Sequence, residues 1–343
     1  MNCTTGSSMP LVSYCIPAYN HAKYVGACLK SILAQSYPNI EVVVFDDCST
    51  DSTYEIVRSQ SDSRIRVYRN SINVGPGETV NRCIRMAKGE FLAVSGSDDI
   101  HLRDKTALQV EHLFANPKVG AVFSTPVFIG PQGESLTRRQ YSDLPVFPAF
   151  NADKVVIFQE LLRRGNFLLA PSALIRRSVI ERVGFFDPGL IQLQDYDYWL
   201  RVAVDNDLFV MDQPLVQYRM MLNGSNLSSE NEASRNRHHF ELSVVYEKLA
   251  APVYEGESAQ QVAVRRALML EALENLHSRE VLNFRARVLY HRISGGVADH
   301  SGASMTTYRQ LISDNAIFSD RNPLVDFVDK LRRYARKKIV RNT

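Results

Sequence analysis

Short apolar runs alternate with amphipathic stretches through the first hundred residues of the chain. The apolar runs are four to six residues long, which is typical of strands buried in a parallel sheet. We predict these strands at 11–16, 40–45, 65–68 and 90–95. The stretches between them carry helical spacing or helix-capping residues, and we predict helices at 22–35, 54–59 and 78–87. This alternation of strand and helix predicts a doubly wound, mostly parallel α/β sheet.

The middle of the chain continues the α/β pattern less regularly. We predict a helix at 102–116, a strand at 119–127, a helix at 153–163, an extended segment at 168–170 and a helix at 177–183. The stretch 130–150 is irregular, rich in proline and polar residues, and contains Arg138, Arg139 and Tyr141. A long irregular segment in a compact domain is usually a functional or mobile loop.

Beyond Tyr218 the pattern changes to helical spacing with little strand character. A polar loop at 220–229 is followed by segments of helical spacing at 232–249, 260–276, 281–293, 306–313 and 323–340. We therefore predict an α/β domain over residues 1–228 and a helical C-terminal appendage over residues 229–343.

Two of the predicted strands end in paired acids. Asp46-Asp47 follows the second strand, and Asp98-Asp99 follows the fourth. Parallel strands present their carboxyl ends at one edge of the sheet, where open α/β sheets bind ligands. So much negative charge in one crevice indicates a hard divalent cation with oxygen ligands. A solvated turn with an Asp helix cap is the structural alternative, and the acids alone leave it open.

Composition narrows the class of protein. The 343-residue chain has a formal net charge of +3, which argues against a general nucleic-acid binder. Its five cysteines include no C-x-x-C pair, so neither a disulfide framework nor a zinc site is indicated. No G-x-G-x-x-G and no G-x-x-x-x-G-K-[ST] motif occurs. Without a signal-peptide pattern or an apolar stretch of membrane-spanning length, we expect a cytoplasmic protein.

An ordered set of motifs resembles family-2 inverting glycosyltransferases with the GT-A fold, of the bacterial surface-polysaccharide type. The matching stretches are V-S-Y-C-I-P-A-Y-N at 12–20, S-I-L-A-Q-S-Y at 31–37, E-V-V-V-F-D-D-C-S-T-D-S-T from Glu41, Asn73-x-Gly75, G-E-F-L-A-V-S-G-S-D-D at 89–99 and Q-D-Y-D-Y-W-x-R at 194–201. They cover residues 11 to about 220 in the family's order. Each motif alone is weak, and the ordered set is specific.

The resemblance implies a nucleotide-binding end of the site. Pro17, Tyr19 and Asp47 would line the nucleobase pocket, with Asp46 beside them. An aromatic ring can stack on a base, and a carboxylate can accept a hydrogen bond from a base N–H. Without the motif, Tyr19 would be a turn residue that packs on its own helix.

The resemblance also implies a metal site. The family's D-x-D motif falls on 96–98, where Gly96 replaces the first acid. Asp98 would then bind Mg²⁺ or Mn²⁺ together with the donor diphosphate, and Asp99 would be a neighbour or a second metal ligand. Such ions keep several waters and use one or two carboxylates plus phosphate oxygens.

The later motif carries the implied catalytic base. Asp195 matches the family's base, with Asp197 as the competing candidate and a helix cap as the structural alternative. Gln194 stands where relatives usually have Glu, and Met221 stands where many have a His that assists at the diphosphate. Arg219 would serve the phosphates instead, or lie at a strand edge.

These matches imply an inverting transfer of a sugar from a nucleoside-diphosphate sugar to a hydroxyl of a glycan or lipid-linked acceptor. A sugar nucleotidyltransferase would need a glycine-rich basic loop near the amino terminus, and Pro17-Ala18-Tyr19-Asn20 is not one. A degenerate, non-catalytic GT-A scaffold or sugar-nucleotide-binding protein is the alternative, since three motif positions depart from the family.

The segment 323–340 has the pattern of a basic amphipathic helix. Such a helix suits an anionic membrane surface and would place the protein at the inner face of the membrane, near a lipid-linked acceptor. The alternative is packing against the other tail helices or a second subunit.

Overall fold

Four parallel strands form the first half of the sheet in the computed structural model, which describes residues 9–137, 139, 145–221 and 232–250. They are β1 Val12–Ala18, β2 Ile40–Asp46, β3 Ile65–Arg69 and β4 Phe91–Val94, and they are connected by helices α1 Val25–Leu33, α2 Thr53–Arg58 and α3 Pro76–Met86. The strand order is β3-β2-β1-β4, and all three pairings are parallel. The predicted doubly wound arrangement is confirmed for this half.

The second half of the sheet is mixed. Its strands are β5 Ile100–His101, β6 Val119–Ile129, β7 Ser135–Leu136, β8 Leu174–Arg176 and β9 Asp207–Arg219. Its helices are α4 Lys105–Ala115, α5 Lys154–Arg164, the 3₁₀ turn Ala170–Ser172, α6 Arg177–Val183, α7 Gln194–Asp205 and α8 Glu232–Ala250. β8 lies antiparallel between β4 and β6, β6 runs parallel to β9, and β5 pairs antiparallel with β9.

The core lies beneath the central strand β1, which is covered on both sides. Its apolar residues are inaccessible to solvent from Val12 to Ile16. Against it packs α1, whose buried residues Val25, Cys28, Leu29 and Ile32 recur at helical spacing. Each fully buried large apolar side chain contributes about 1.5–3 kcal/mol to folding. This burial fixes the position at which β1 ends, and therefore the position of the site.

Some elements depart from the sequence prediction. Helix α1 begins at Val25 rather than near 22, and the backbone N–H groups of His21 and Ala22, which precede it, donate to Thr53 and Asp51. The segment predicted as extended at 168–170 leads into a 3₁₀ turn and then β8, which the sequence did not predict.

Internal contacts divide the chain into two units, Met1–Glu241 and Leu242–Thr343. The predicted domain boundary after residue 228 falls in 222–231, outside the described residues, and stays a prediction. Arg138, Tyr141 and the predicted helices beyond 250, including the basic segment 323–340, also lie outside them. Among the helices that are described, we find none with the length and apolar character needed to cross a bilayer.

Candidate active site

The two acid pairs flank the end of the central strand. β1 pairs with β2 on one side and with β4 on the other. The Asp47 N–H donates to the Ala18 carbonyl at 2.7 Å, and the Ser95 N–H donates to the Cys15 carbonyl at 3.2 Å. The predicted sheet edge therefore carries Asp46-Asp47 and Asp98-Asp99 on either side of Pro17-Ala18-Tyr19.

Asp47 organises the loop that starts α3. Its Oδ1 accepts hydrogen bonds from the Val74 N–H at 2.9 Å and the Asn70 amide at 2.8 Å, and its Oδ2 accepts from the Gly75 N–H at 2.9 Å. Gly75 has φ of 85°, a left-handed conformation that glycine adopts without steric cost. The carboxylate is buried, so it stabilises the loop at this sheet edge without being exposed itself.

Asp46 and the aromatic groups form the rest of this side. Asp46 is inaccessible to solvent, and its Oδ2 accepts from the Ser49 N–H at 3.0 Å and lies 3.3 Å from Arg69 Nε. The Arg69 guanidinium lies over the Tyr54 ring at 4.7 Å. Tyr19 is exposed, at 44% of its surface, so its ring is available for stacking.

The acid loop, residues 95–99, exposes its two carboxylates to different extents. The Asp98 side chain keeps 18% of its surface accessible. Asp99 is buried, and its Oδ1 accepts from the Arg219 backbone N–H at 2.9 Å. Burial, together with the nearby charge of Asp98, raises the pKa of Asp99 well above its ordinary value. Asp98 is thus the acid of this pair that faces the crevice.

Arg219 holds the acid loop against the last strand. Its Nε donates to the Asp98 carbonyl at 2.8 Å, its NH1 group donates to the Gly130 carbonyl at 2.8 Å, and its guanidinium lies 4.7 Å from the Tyr24 ring centroid. The side chain is buried rather than extended from a strand edge. Arg219 therefore supports the loop through its backbone and side chain together.

His21 is a site residue that the sequence reasoning missed. Its Nδ1 is 2.7 Å from Ser97 Oγ and 3.9 Å from Asp98 Oδ1, and about a third of the side chain is exposed. The available signal was its place directly after the Pro17–Asn20 motif. Met221 accepts from the Tyr24 hydroxyl at 3.5 Å through its sulfur.

The carboxylates of Asp98 and Asp99 occupy the space beside Gly96 that a side chain would need. A Cβ at this position would lie 2.6 Å from Asp99 Oδ2 and 2.9 Å from Asp98 Oδ1. Both carboxylates therefore converge on the position where the family motif has its first acid. A side chain at 96 and the present placement of Asp98 and Asp99 are mutually exclusive.

The residues fit a hard cation that has only one or two protein ligands. Within the described residues no group of three or more His, Cys, Asp or Glu side chains forms a complete protein cage. Mg²⁺ and Mn²⁺ sites built with phosphates need only one or two carboxylates. Asp98, partly open beside Gly96, offers one such ligand to the crevice.

Asp195 lies on a different element, in the first turn of α7. Its Oδ2 accepts from the Asn166 amide at 2.9 Å, and its Oδ1 accepts from the Tyr196 N–H at 2.8 Å. Asn166 is itself oriented, because its Oδ1 accepts from the Leu168 N–H at 3.1 Å. The enclosed surroundings raise the pKa of Asp195 to about 6, against the opposing effect of these donors. Asn166 is a second residue missed from the sequence.

Asp197, the competing acid, is part of an ion pair. Its Oδ2 accepts from Arg201 Nε at 2.9 Å, and Arg201 also donates to the Val183 and Phe185 carbonyls. Asp197 is buried and points into the packing of α7. Of the two acids, Asp195 has the surroundings expected of a proton acceptor.

Curated relatives resemble the chain over most of its α/β region. An uncharacterized glycosyltransferase of Methanocaldococcus jannaschii is 28% identical over 216 residues, 62% of this chain and 71% of the relative. The Escherichia coli protein WfaP, named as a UDP-Glc:α-D-GlcNAc-diphosphoundecaprenol β-1,3-glucosyltransferase, is 28% identical over 194 residues, 57% of this chain and 70% of the relative.

Solved structures share the fold, and the family model identifies the chain. The Staphylococcus aureus TarS fragment 1–349 in complex with UDP superposes with a TM-score of 0.57 at 18% identity, covering 82% of each chain. The Pyrobaculum calidifontis mannosyltransferase PcManGT, in complex with GDP-Man and Mn²⁺, gives 0.52 at 21% identity over 97% of this chain and 88% of that one. The model described as Glycosyl transferase family 2 matches residues 13–184, about half of the chain. The protein therefore belongs to glycosyl transferase family 2 and is a glycosyltransferase with a GT-A-like α/β fold.

Proposed function

We propose that this glycosyltransferase moves a sugar, with inversion, from a nucleoside-diphosphate sugar to a hydroxyl of a glycan or lipid-linked acceptor. The observation that carries the proposal is the Asp195 carboxyl, enclosed at the start of α7, with a pKa raised to about 6. The acid loop at the sheet edge is a separate group with a different task.

Asp195 acts as the general base. A sugar hydroxyl is a poor nucleophile, so a carboxylate must accept its proton as the oxygen attacks the anomeric carbon. A carboxylate with a raised pKa is a stronger base and is still ionised at neutral pH. Asn166 fixes the rotation of the carboxyl, which leaves the remaining lone pairs of the two oxygens for the acceptor. A single displacement inverts the anomeric centre.

The acid loop binds the diphosphate end of the donor. Asp98 would hold Mg²⁺ or Mn²⁺, with Asp99 as its buried neighbour, and the ion would supply positive charge to the diphosphate leaving group. His21 is close to Asp98 and lies where it can contact the diphosphate. The likeness to a mannosyltransferase structure that contains Mn²⁺ supports this choice of ion.

The opposite side of the β1 end binds the nucleotide base. Tyr19, directly after β1, supplies an exposed ring, and Pro17 lies at the end of that strand. Asp46 and Asp47 are buried behind this surface, where they fix the loops that shape the pocket. We assign the base to this side because the acid loop accounts for the other.

The acceptor is proposed by likeness to relatives. WfaP is named for a diphosphoundecaprenol-linked acceptor, so a lipid-linked saccharide at the cytoplasmic face of a membrane is the acceptor class we propose here. The basic segment 323–340 would serve contact with that membrane.

The test is release of nucleoside diphosphate from a panel of sugar nucleotides by the full chain. We expect Asp195→Asn to lower turnover by a factor on the order of 10² or more with little change in donor affinity. Asp205→Asn, in the last turn of the same helix, is the matched control and should retain turnover. Donor binding without any release would favour the non-catalytic binding protein. Full turnover of Asp195→Asn would remove Asp195 from the mechanism.

A further inference from the structure

Glu241 binds three consecutive backbone N–H groups immediately before α7. Its Oε1 accepts from the Ile191 N–H at 2.9 Å, and its Oε2 accepts from the Gln192 and Leu193 N–H groups at 2.8 Å each. The carboxylate is buried, with 3% of the residue exposed. Hydrogen bonds to a charged acceptor are stronger than those between neutral groups.

These three N–H groups belong to the turn that positions Asp195. Leu193 is the cap residue of α7, and its carbonyl accepts the first helical bond, from the Asp197 N–H at 3.0 Å. Residues before a helix have no intrahelical acceptor for their N–H groups, so an outside acceptor must satisfy them. Glu241 fills this need and thereby fixes the backbone two residues before Asp195.

The charge of Glu241 also acts on Asp195. After burial, its negative charge is a further cause of the raised Asp195 pKa. Several charged groups on α5, α6 and α7 make contacts of their own: Asp197 with Arg201 on α7 itself, Glu160 with Arg163 and Arg164 on α5, and Arg182 of α6 with Asn206 beyond the far end of α7. Asn166, which contacts Asp195 directly, is neutral.

We propose that Glu241 is a positioning residue of the transfer reaction: its carboxylate holds the turn 191–193 and places a negative charge at the start of α7, where Asp195 lies. This rests on the proposed role of Asp195. It assigns a function to the first half of α8, a helix that lies beyond the residues matched by the family model.

Two substitutions separate the effect of the Glu241 side-chain length from the effect of its charge. Glu241→Gln keeps the shape, removes the charge and places an amide NH₂ or a neutral oxygen against the three donors. Glu241→Asp keeps the charge and shortens the side chain. The matched control is Glu111→Gln, an exposed position on α4. All variants are made in the full chain, and thermal unfolding verifies that each is folded.

Turnover with saturating donor is measured against pH, where protonation of Asp195 sets the acidic limb. We expect Glu241→Gln to lower kcat about tenfold, to leave the donor KM within about twofold, and to move the acidic limb toward lower pH. Glu241→Asp should lower kcat with the limb unmoved, and Glu111→Gln should match the parent.

Three results would overturn the inference. The first is a Glu241→Gln variant in which neither kcat nor the acidic limb of the pH profile changes. The second is a Glu241→Gln variant that has a lowered kcat but the acidic limb of the parent. The third is a shift of the acidic limb that Glu241→Asp shares. The proposed function fails separately: if Asp195→Asn retains turnover, Asp195 is not the base, whatever the Glu241 variants do. If Asp195→Asn is inactive and Glu241→Gln is unaltered, only the inference about Glu241 fails.

Discussion

At position 96 a missing side chain determines how two others are placed. Gly96 lets Asp99 turn inward to the Arg219 N–H while Asp98 stays at the crevice. Gly96 departs from the family's D-x-D motif in the sequence, and in the structure both carboxylates converge on the space that its Cβ would occupy. The chemistry of the loop therefore depends on the absence of a Cβ.

We expect Gly96→Ala to weaken nucleotide binding more than it weakens the fold. The new Cβ would displace the Asp98 and Asp99 oxygens, which are ends of side chains, so the backbone can remain in place. Mn²⁺-dependent affinity for a nucleoside diphosphate, measured by calorimetry, should fall roughly tenfold, and Asp98→Asn should lower it at least as much. Gly26→Ala, whose Cβ would meet nothing closer than 3.9 Å, is the control. Unchanged affinity in Gly96→Ala would show that the acid loop has no part in donor binding.

At the scale of elements, two helices begin with the same residue type in different ways. Asp153 is the N-cap of α5, and its carboxylate accepts from the Val155 and Val156 N–H groups at 2.9 and 3.2 Å. Asp104 is the N-cap of α4 but its side chain makes no capping hydrogen bond. The pair isolates the contribution of the cap bond from that of the charge near a helix start.

Asp153→Ala should cost about 1 kcal/mol of unfolding free energy, because two N–H groups lose their acceptor. Asp104→Ala should cost about 0.5 kcal/mol or less, since only a favourable charge is lost. Urea denaturation of both variants measures the difference. Equal losses would mean that the Asp153 bonds contribute nothing beyond electrostatics.

The elements also show how far sequence reasoning extends. β1, β2 and β4 were predictable because strands buried on both faces are continuous apolar runs. β8 has three residues, and along β9 buried and exposed positions alternate irregularly, so neither strand gives a periodic signal. Asp98 and Asp195 were predicted as site residues because motifs mark them, and both stay predictions. Asn166 contacts Asp195, and Glu241 contacts the turn before it. Both residues lie far from Asp195 in the sequence, so no local sequence pattern predicts these contacts.

At the scale of the whole Met1–Glu241 unit, one buried charge influences stability. Lys105 is inaccessible to solvent on α4, and its Nζ has no hydrogen-bond partner among the described residues. Its Nζ lies 5.5 Å from the Tyr14 ring centroid. Burial lowers the pKa of Lys105 to about 7. The amine is therefore close to half-protonated at neutral pH in the folded state.

Lys105→Met should raise stability at pH 7 by roughly 2–4 kcal/mol. Between pH 7 and about 10.5 the unfolded state binds the proton that the folded state has lost, so this lysine destabilises the fold increasingly as pH falls through that window. The advantage of the variant should accordingly shrink toward pH 10.5. Lys118→Met, at an exposed position, is the control. Denaturation curves across this range measure the effect, and a pH-independent difference would contradict the shifted pKa.

The bond from the Arg219 backbone to Asp99 joins positions 120 residues apart. The donor belongs to β9, the strand that pairs with both β5 and β6. A nascent chain that has emerged only to residue 184 contains every position of the family match, yet it has an open sheet edge and an acid loop without this donor. The segment that the family model matches is thus shorter than the segment needed to form this hydrogen bond. Any fragment that retains the geometry of Asp99 must extend at least through Arg219.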